Sequence, residues 1–388
     1  MIIAAEIVLW VSIGLILFSY GIYPILIMAL SRLFGRQVST KPFSQGELPT
    51  VSLLVSALNE QDVIAARIEN NLAQTYPADR LQIVVASDGS TDRTAEIVQA
   101  YEARFPGRVR LIDSKERRGK ATVLSETLPF VSGDIVVLSD ANTMFEREAI
   151  SRLVRWFRDD SIGVVCGKLV LIDPASGTNV DGLYWRYENL LKKCEGRLGA
   201  LLGANGAIYA LRKAEFVPIP RDTIIDDFSI PLLIKLKHRK RIVYDVEAVA
   251  TEDSAADVRA EFKRRVRIGA GGFQSMVRLG RLASPAYGWT SFAFVSHKVL
   301  RWLCPFFLLA ALAANLILLG QPFYQAILAA QLAFYVAAIV GAYLPGASRA
   351  SRVVRLTTMF TSMNLALGIG FWRWISGQQR GTWQRTAR

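Results

Sequence analysis

Hydrophobic positions along this chain follow two rhythms. Ile7–Leu30 and Trp302–Ser348 carry no charged residue, over 24 and 47 positions respectively. The first run is long enough for one crossing of a bilayer core. The second is long enough for two, with Gly320-Gln321-Pro322 as the turn between them. Leu356–Trp372 is a weaker third candidate, short and interrupted by Thr357, Thr358, Thr361, Ser362 and Asn364. If it crosses as well, the tail with Arg380, Arg385 and Arg388 ends outside, against the charge rule; otherwise it is interfacial or re-entrant.

From about Thr50 to Leu282 short apolar runs alternate with helical patterns. Val51–Ala57 reads as a strand, Ala65–Gln74 as a helix stopped by Pro77, and Leu81–Ala86 as a second strand ending at Ser87-Asp88-Gly89-Ser90. Asp92 is placed to cap the next helix, through Tyr101. Val109–Ile112, Ile135–Leu138 and Ile242–Tyr244 are further strands, and Ser139-Asp140 follows the middle one. Uninterrupted apolar strands separated by helices predict an α/β fold with a buried, mostly parallel sheet. Ligands bind such sheets beyond the carboxyl ends of the strands. Asp88 and Asp140 both stand there.

The predicted organisation is therefore an N-terminal anchor over 1–40, a catalytic domain over 41–282 and a C-terminal membrane region over 283–388. Thr40–Pro49 is the predicted linker. No basic stretch precedes the first apolar run and no small-residue cleavage site follows it, which favours an anchor over a cleaved signal peptide. Glu6 precedes that run and Arg32, Arg36 and Lys41 follow it, which places the next segment in the cytoplasm.

Composition fits this mixture: 52% hydrophobic residues, yet 20% charged, with a net charge of +13. The chain has no nucleic-acid-binding motif. Much of the basic charge, at Arg32, Arg36, Arg349, Arg352 and Arg355, flanks apolar runs, which favours membrane lipids as partners over nucleic acid. Cys166, Cys194 and Cys304 are scattered, and His238 and His297 are the only histidines. Disulfide frameworks, cysteine zinc sites and Ser-His-Asp triads are thereby set aside, which leaves carboxylates, cationic side chains or a metal held by oxygen ligands.

Asp140-Ala141-Asn142 puts a carboxylate and a second oxygen ligand two residues apart, a pattern suited to Mg²⁺ or Mn²⁺ completed by substrate phosphates. The same three residues also read as a capped turn. Asp88 reads either as a turn residue or as a carboxylate accepting from a base or ribose. Arg117-Arg118-Gly119-Lys120 precedes a helix and suits a diphosphate, or is a solvated charge run. Asp226-Asp227, between Ile225 and Phe228 at the mouth of an apolar helix, suits a general base raised in pKa by burial. Arg259, Lys263, Arg264, Arg265 and Arg267 form a basic run in which Arg264 and Arg267 share a helical face, fit for phosphates or for a membrane surface.

Taken in order, Ala57-Leu58-Asn59-Glu60, Asp88-Gly89-Ser90-Thr91-Asp92, Gly119-Lys120, Asp140-Ala141-Asn142, Ile225-Asp226-Asp227 and Arg264-Arg265-Val266-Arg267-Ile268 resemble the membrane-bound family-2 glycosyltransferases. That group includes the cellulose, hyaluronan and poly-N-acetylglucosamine synthases. The resemblance covers nearly the whole chain. It implies a GT-A-type nucleotide-sugar-binding domain flanked by transmembrane helices, and inverting transfer from a nucleotide sugar, expected to be UDP-linked, to a glycan or lipid-linked acceptor.

Carried over, Asn59, Glu60, Asp88, Lys120, Asp140, Arg264 and Arg267 bind the nucleotide sugar, with Asp88 at the uridine and Asp140 and Asn142 at the metal. Asp227 matches the last residue of the family's T/G-E-D motif and deprotonates the acceptor, with Asp226 beside it. Thr251-Glu252-Asp253 spells that motif literally but lies only eleven residues before Arg264. A helix and a strand separate base from arginine motif in the family, a layout that Asp227 fits and Asp253 does not.

Two departures follow. Asn142 stands in place of the second Asp of the DxD motif, which points to weaker metal affinity. Ile268 stands in place of the Trp that helps position the acceptor and accompanies processive synthesis. Addition of one or a few sugars, in cell-surface or exopolysaccharide synthesis alongside other polysaccharide-biosynthesis proteins, is therefore expected at a bacterial inner membrane. A processive synthase that exports its polymer is the nearest alternative, and a non-catalytic membrane scaffold or transporter subunit the alternative of another class. A dinucleotide oxidoreductase would need GxGxxG after the first strand, where Ser56-Ala57-Leu58-Asn59-Glu60 stands.

Overall fold

A computed structural model describes residues 1–36, 43–173, 179, 182–254, 258–343, 349–379 and 381. The chain divides into two compact units. One comprises Met1–Leu26, Asp257–Val277 and Phe294–Gln379, and the other Ile27–Ala256, Arg278–Ala293 and Arg380–Arg388.

The first described helices are α1 (Ile2–Leu17) and α2 (Tyr23–Leu33), joined by a π turn. The second unit then carries an eight-stranded sheet. Its strands are β1 (Val51–Ala57), β2 (Leu81–Asp88), β3 (Val109–Ser114), β4 (Ile135–Asp140), β5 (Met144–Phe145), β6 (Ile162–Ile172), β7 (Tyr209–Arg212) and β8 (Arg241–Asp253). They lie in the order β3-β2-β1-β4-β7-β6-β8-β5. The β1–β2, β1–β4, β2–β3 and β6–β8 pairs are parallel, while β7 runs antiparallel to both β4 and β6, and β5 to β8. The expected mostly parallel α/β sheet is borne out.

Every residue of β1 is buried, as a strand covered on both faces must be. Around the sheet lie α3 (Ile64–Leu72), α4 (Thr94–Arg104), α5 (Lys120–Thr127), α6 (Ala149–Val154), α7 (Leu183–Arg197) and α8 (Asp226–His238). One apolar core, with Leu53, Val55, Ile68, Ile83, Val137 and Ile150 among its members, holds one face together.

Three strands run further than their apolar residues predict. β2, β3 and β4 were expected to stop at Ala86, Ile112 and Leu138, but end at Asp88, Ser114 and Asp140. The polar residues stay in the ladder because each has a parallel partner: Ser56 opposite Asp140, and Asp88 opposite Ser114. The strand expected at Ile242–Tyr244 is likewise one part of the 13-residue β8, which takes in Thr251-Glu252-Asp253. Asp92 does serve the start of α4, its Oδ1 accepting from Thr94 N at 3.0 Å. Most of the predicted linker's first half lies outside the described residues.

The other unit contains α9 (Val258–Arg278, up to Val277), α11 (Leu300–Ile317), α12 (Pro322–Tyr343) and α13 (Arg349–Ile375), with α10 (Trp289–Ala293) preceding α11 through a π turn. Among the described residues, three helical runs are long and apolar enough to cross a membrane: Ile2–Leu33, Trp289–Ile317 and Pro322–Tyr343. They match the predicted first span and the predicted pair with its turn near Gly320. Leu356–Trp372 falls within α13, which is not among these three.

The expected boundary at 282 differs from that of the compact unit, which already includes α9. The reason is packing. Phe273 meets Phe306 and Phe371 edge to face, and a Cβ on Gly272 would lie 2.6 Å from Trp302 Nε1. Only glycine lets the α9 backbone come so near that indole.

Candidate active site

The site forms where β2, β4 and the N-termini of α5 and α8 meet. Asp88 ends β2 and is 2% exposed. Its Oδ1 accepts from Arg118 N at 2.7 Å and its Oδ2 from Gly119 N at 2.9 Å. The carboxylate thus holds the loop that leads into α5. Gly89 allows this closeness: its φ is +69°, and a Cβ there would lie 2.6 Å from Arg117 N.

The exit of β1 is tied to the same region. Asn59 has φ +55°, and its Oδ1 accepts from Thr91 N at 2.7 Å. Asn59 N donates to Ser90 Oγ, and Glu60 N to Thr94 Oγ1 at 2.8 Å, while Glu60 itself is buried. Asn59 and Glu60 therefore fix two loops at the sheet edge to each other.

Lys120 opens α5. Its Nζ lies 2.7 Å from Asp140 Oδ1 and 3.5 Å from Asp226 Oδ2. Burial opposes its charge, but Asp140 and Asp226 outweigh burial, and the ammonium is held well above the usual lysine range. Arg118 turns to Glu126 and to Ser114.

Asp226 and Asp227 occupy the first turn of α8, where the helix dipole favours negative charge. Asp227 Oδ2 accepts from Gly206 N at 3.1 Å, and Asp227 O from Ala204 N at 2.9 Å. A Cβ on Gly206 would lie 3.3 Å from Asp227 Oδ2 and 3.7 Å from Asp140 Oδ2. The two carboxylates therefore converge on the Gly206 backbone, and a side chain there would crowd both.

Behind Asp140, the fully buried Arg67 donates to Ser139 Oγ at 2.9 Å and stacks 4.2 Å from the Phe145 ring centroid. Burial lowers its pKa, and Asp140 and Glu252 oppose that shift.

Asp140, Asn142 and the acidic pair are all oxygen donors. Among the described residues no three His, Cys, Asp or Glu side chains form a complete metal cage. That suits Mg²⁺ or Mn²⁺, which typically take one or two protein carboxylates and complete their shell with phosphate and water. The Asp140 side chain is 39% exposed and already carries the Lys120 ammonium, so this carboxylate does accept a cation. The residues fit the ion.

Residues 52–213 match the family described as Glycosyl transferase family 2. That segment is the family-2 glycosyltransferase domain of this chain. The chain is 26% identical over 238 residues to a poly-β-1,6-N-acetyl-D-glucosamine synthase of Staphylococcus aureus, covering 60% of this chain and 57% of that protein. It is 26% identical over 259 residues to the β-monoglucosyldiacylglycerol synthase of a Synechocystis species, covering 65% of this chain and 53% of that one. The match thus spans little more than half the length of either relative.

A mannosyltransferase from Pyrobaculum calidifontis, solved in complex with GDP-Man and Mn²⁺, superposes with a TM-score of 0.73 at 22% identity. The overlap covers 96% of this chain and 99% of that one. The expected GT-A fold is borne out.

Within the glycosyltransferase domain and its surroundings, Asp140, Lys120, Asp226 and Asp227 are brought together, and Asn59, Glu60 and Asp88 brace the neighbouring loops. Asn142 is half-buried in the turn after β4. Arg264, Arg267 and Ile268 lie on α9 in the helical unit, where Arg264 pairs with Glu261 at 3.0 Å. In the Thr251-Glu252-Asp253 tract, Glu252 accepts from Thr143 Oγ1 and Asp253 is exposed.

Three contributors escaped the sequence reading: Gly206, Arg67 and Tyr209. Tyr209 begins β7, is 1% exposed, and its hydroxyl has no hydrogen-bond partner among the described residues. Burial, then the charges of Asp226, Asp227 and Asp140, keep the phenol protonated. The glycine-bounded Gly203-Ala204-Asn205-Gly206 before an apolar strand was the one signal in the sequence, and it pointed only to a turn.

Proposed function

We propose that this protein is an inverting, metal-dependent glycosyltransferase that moves a sugar from a nucleotide sugar, UDP-linked by preference, to a glycan or lipid-linked acceptor at the cytoplasmic face of a bacterial inner membrane. The observation that carries this reading is the convergence of Asp140 and Asp227 on the Gly206 backbone at the carboxyl end of the sheet. One carboxylate suits the donor's diphosphate side and the other the acceptor.

In this reading Asp227 takes the acceptor's hydroxyl proton. The acceptor oxygen bonds to the anomeric carbon from the face opposite the diphosphate. The bond from that carbon to the diphosphate oxygen breaks, and its electron pair leaves with the nucleoside diphosphate. The Gly206 N–H bond holds Asp227 in place. The Lys120 ammonium offers positive charge to the leaving diphosphate. Asp140 and Asn142 would hold the divalent ion, which would supply positive charge against the diphosphate.

The cytoplasmic placement rests on Arg32, Arg36 and Lys41 after the first apolar run. Ile268 in the arginine motif supports addition of one or a few sugars over long polymer. The named activities of the Staphylococcus and Synechocystis relatives support a glycan or a lipid as acceptor.

Membranes containing the full chain, incubated with UDP-glucose, UDP-N-acetylglucosamine, UDP-galactose or GDP-mannose and Mn²⁺, test this. Nucleoside diphosphate release with short products is expected. Long polymer would overturn the short-product reading, and no release from any donor would overturn the enzyme reading.

A further inference from the structure

Arg67 is an expensive residue to place where it stands. It is fully buried on α3, next to the equally buried Ile68. A methionine or leucine against the Phe145 ring would pack there without taking a charge out of water. What the guanidinium holds therefore decides what it is for.

Its Nη2 donates at 2.9 Å to Ser139 Oγ, on the residue before Asp140. Its Nη1 donates at 3.0 Å to Asn70 Oδ1, one helical turn further along α3. Asn70 in turn brackets Phe145, accepting from its N and donating to its O, both at 2.9 Å. Ser139 Oγ passes the chain on to Ala207 O at 2.6 Å, beside Gly206. One buried cation is thus tied to both ends of the turn from Asp140 to Phe145.

The middle of the turn is fixed from β8. Thr143 is fully buried, and its Oγ1 donates to Glu252. The charge of Arg67 is met by Asp140 and Glu252. These bonds grip Ser139, Thr143 and Phe145, and leave the side chains of Asp140 and Asn142 out of the brace.

We propose that Arg67 is a positioning residue for the divalent ion: through Ser139 and Asn70 it fixes both ends of the Asp140–Phe145 turn, and so the separation of the Asp140 and Asn142 oxygens. This rests on the reading of those two residues as the metal's protein ligands. Mg²⁺ and ions of its size take ligands at short distances in near-ideal geometry, so a turn free to shift would lose affinity. Partners outside the ligand shell commonly set that geometry.

The test is Mn²⁺ binding by calorimetry to the full-length protein carrying wild type, Arg67→Lys, Ser139→Ala or Asp140→Asn, with thermal unfolding followed alongside. Arg67→Lys keeps the charge and loses the planar fork that reaches Ser139 and Asn70 together. The expected result is Mn²⁺ affinity about tenfold weaker at unaltered stoichiometry. Nucleoside diphosphate release by the same variant should need about tenfold more Mn²⁺ for its half-maximal rate and recover at saturation. Ser139→Ala, which removes one of the two tethers, should fall between wild type and Arg67→Lys.

A merely structural role would lower the unfolding midpoint or the fraction of binding-competent molecules and leave the affinity of the folded ones alone. Weaker affinity at full stoichiometry therefore supports the assignment. Unchanged or tighter binding by Arg67→Lys overturns it, whatever happens to stability. If Arg67→Lys does not fold, Ser139→Ala decides by the same criterion. Asp140→Asn separates the two ideas. If it binds Mn²⁺ as wild type does, or if wild type binds none, the metal reading of the turn fails and the proposal with it. Loss of Mn²⁺ in Asp140→Asn beside unchanged affinity in Arg67→Lys removes only the role of Arg67.

Discussion

The Lys120 ammonium lies 2.7 Å from Asp140 Oδ1, on the carboxylate assigned to the divalent ion, and 3.5 Å from Asp226 Oδ2. One lysine thus joins the carboxylate at the end of β4 to the acidic start of α8. Its charge balances groups that repel one another, so Lys120→Met should loosen both. The expected effect is at least a tenfold fall in turnover, since a hydrogen bond to a charged group contributes on the order of 2 kcal/mol. At the same time Mn²⁺ should bind the nucleotide-free variant more tightly than wild type, because the competing cation is gone. Calorimetry with Mn²⁺ alone checks this, and weaker binding by the variant would show that Lys120 does not compete for Asp140.

Metal dependence should follow the Asp140 turn. Chelation is expected to stop turnover, and Mn²⁺ or Mg²⁺ to restore it. Asn142→Asp adds a second carboxylate and should lower the metal concentration needed for half-maximal rate several-fold, by raising the negative charge of the donor set. Asp140→Asn should abolish the metal response. A titration of rate against free metal for the three proteins checks the order. An unaltered requirement in Asn142→Asp would place that side chain outside the metal shell.

Lys235 gives a pH prediction for the fold. It is 7% exposed on α8 and donates to Gly199 O at 2.7 Å. Burial, then Arg241, push its pKa down to about 8, from the ordinary 10.5. Between these two values the unfolded chain binds a proton that the folded chain does not. Stability therefore rises as pH increases from about 8 towards 10.5, falls over that same window as pH is lowered, and is level below about 8, where both states hold the proton. Lys235→Met should flatten that rise. Thermal midpoints of wild type and variant across this range check it, and parallel curves would contradict the assignment to Lys235.

Much of this site was legible in the sequence because strand ends are local. Apolar runs announced β1, β2 and β4, and the acidic residues just beyond the second and third of them, Asp88 and Asp140, sit where ligands meet such sheets. Their roles were less legible. That Asp88 clamps Arg118 and Gly119 depends on a loop thirty residues away folding back over Gly89.

The Gly206 backbone, Arg67 and Tyr209 were hidden for the same reason. Each matters through a neighbour distant in sequence, and a buried tyrosine in an apolar strand looks like core. The extent of α9 in the helical unit was missed because its basic residues were weighed for phosphate binding, while Gly272 and Phe273, further along the same helix, determine its packing.

The central claim is that Asp227 is the base and Asp140 its partner across Gly206. It is tested most directly by nucleoside diphosphate release from full-length protein in membranes carrying wild type, Asp227→Asn or Asp253→Asn. The predicted result is loss of at least a hundredfold in Asp227→Asn, as expected on removing a general base, and near wild-type release in Asp253→Asn, whose side chain is exposed at the end of β8. Equal loss in both variants, or full release by Asp227→Asn, would contradict the account.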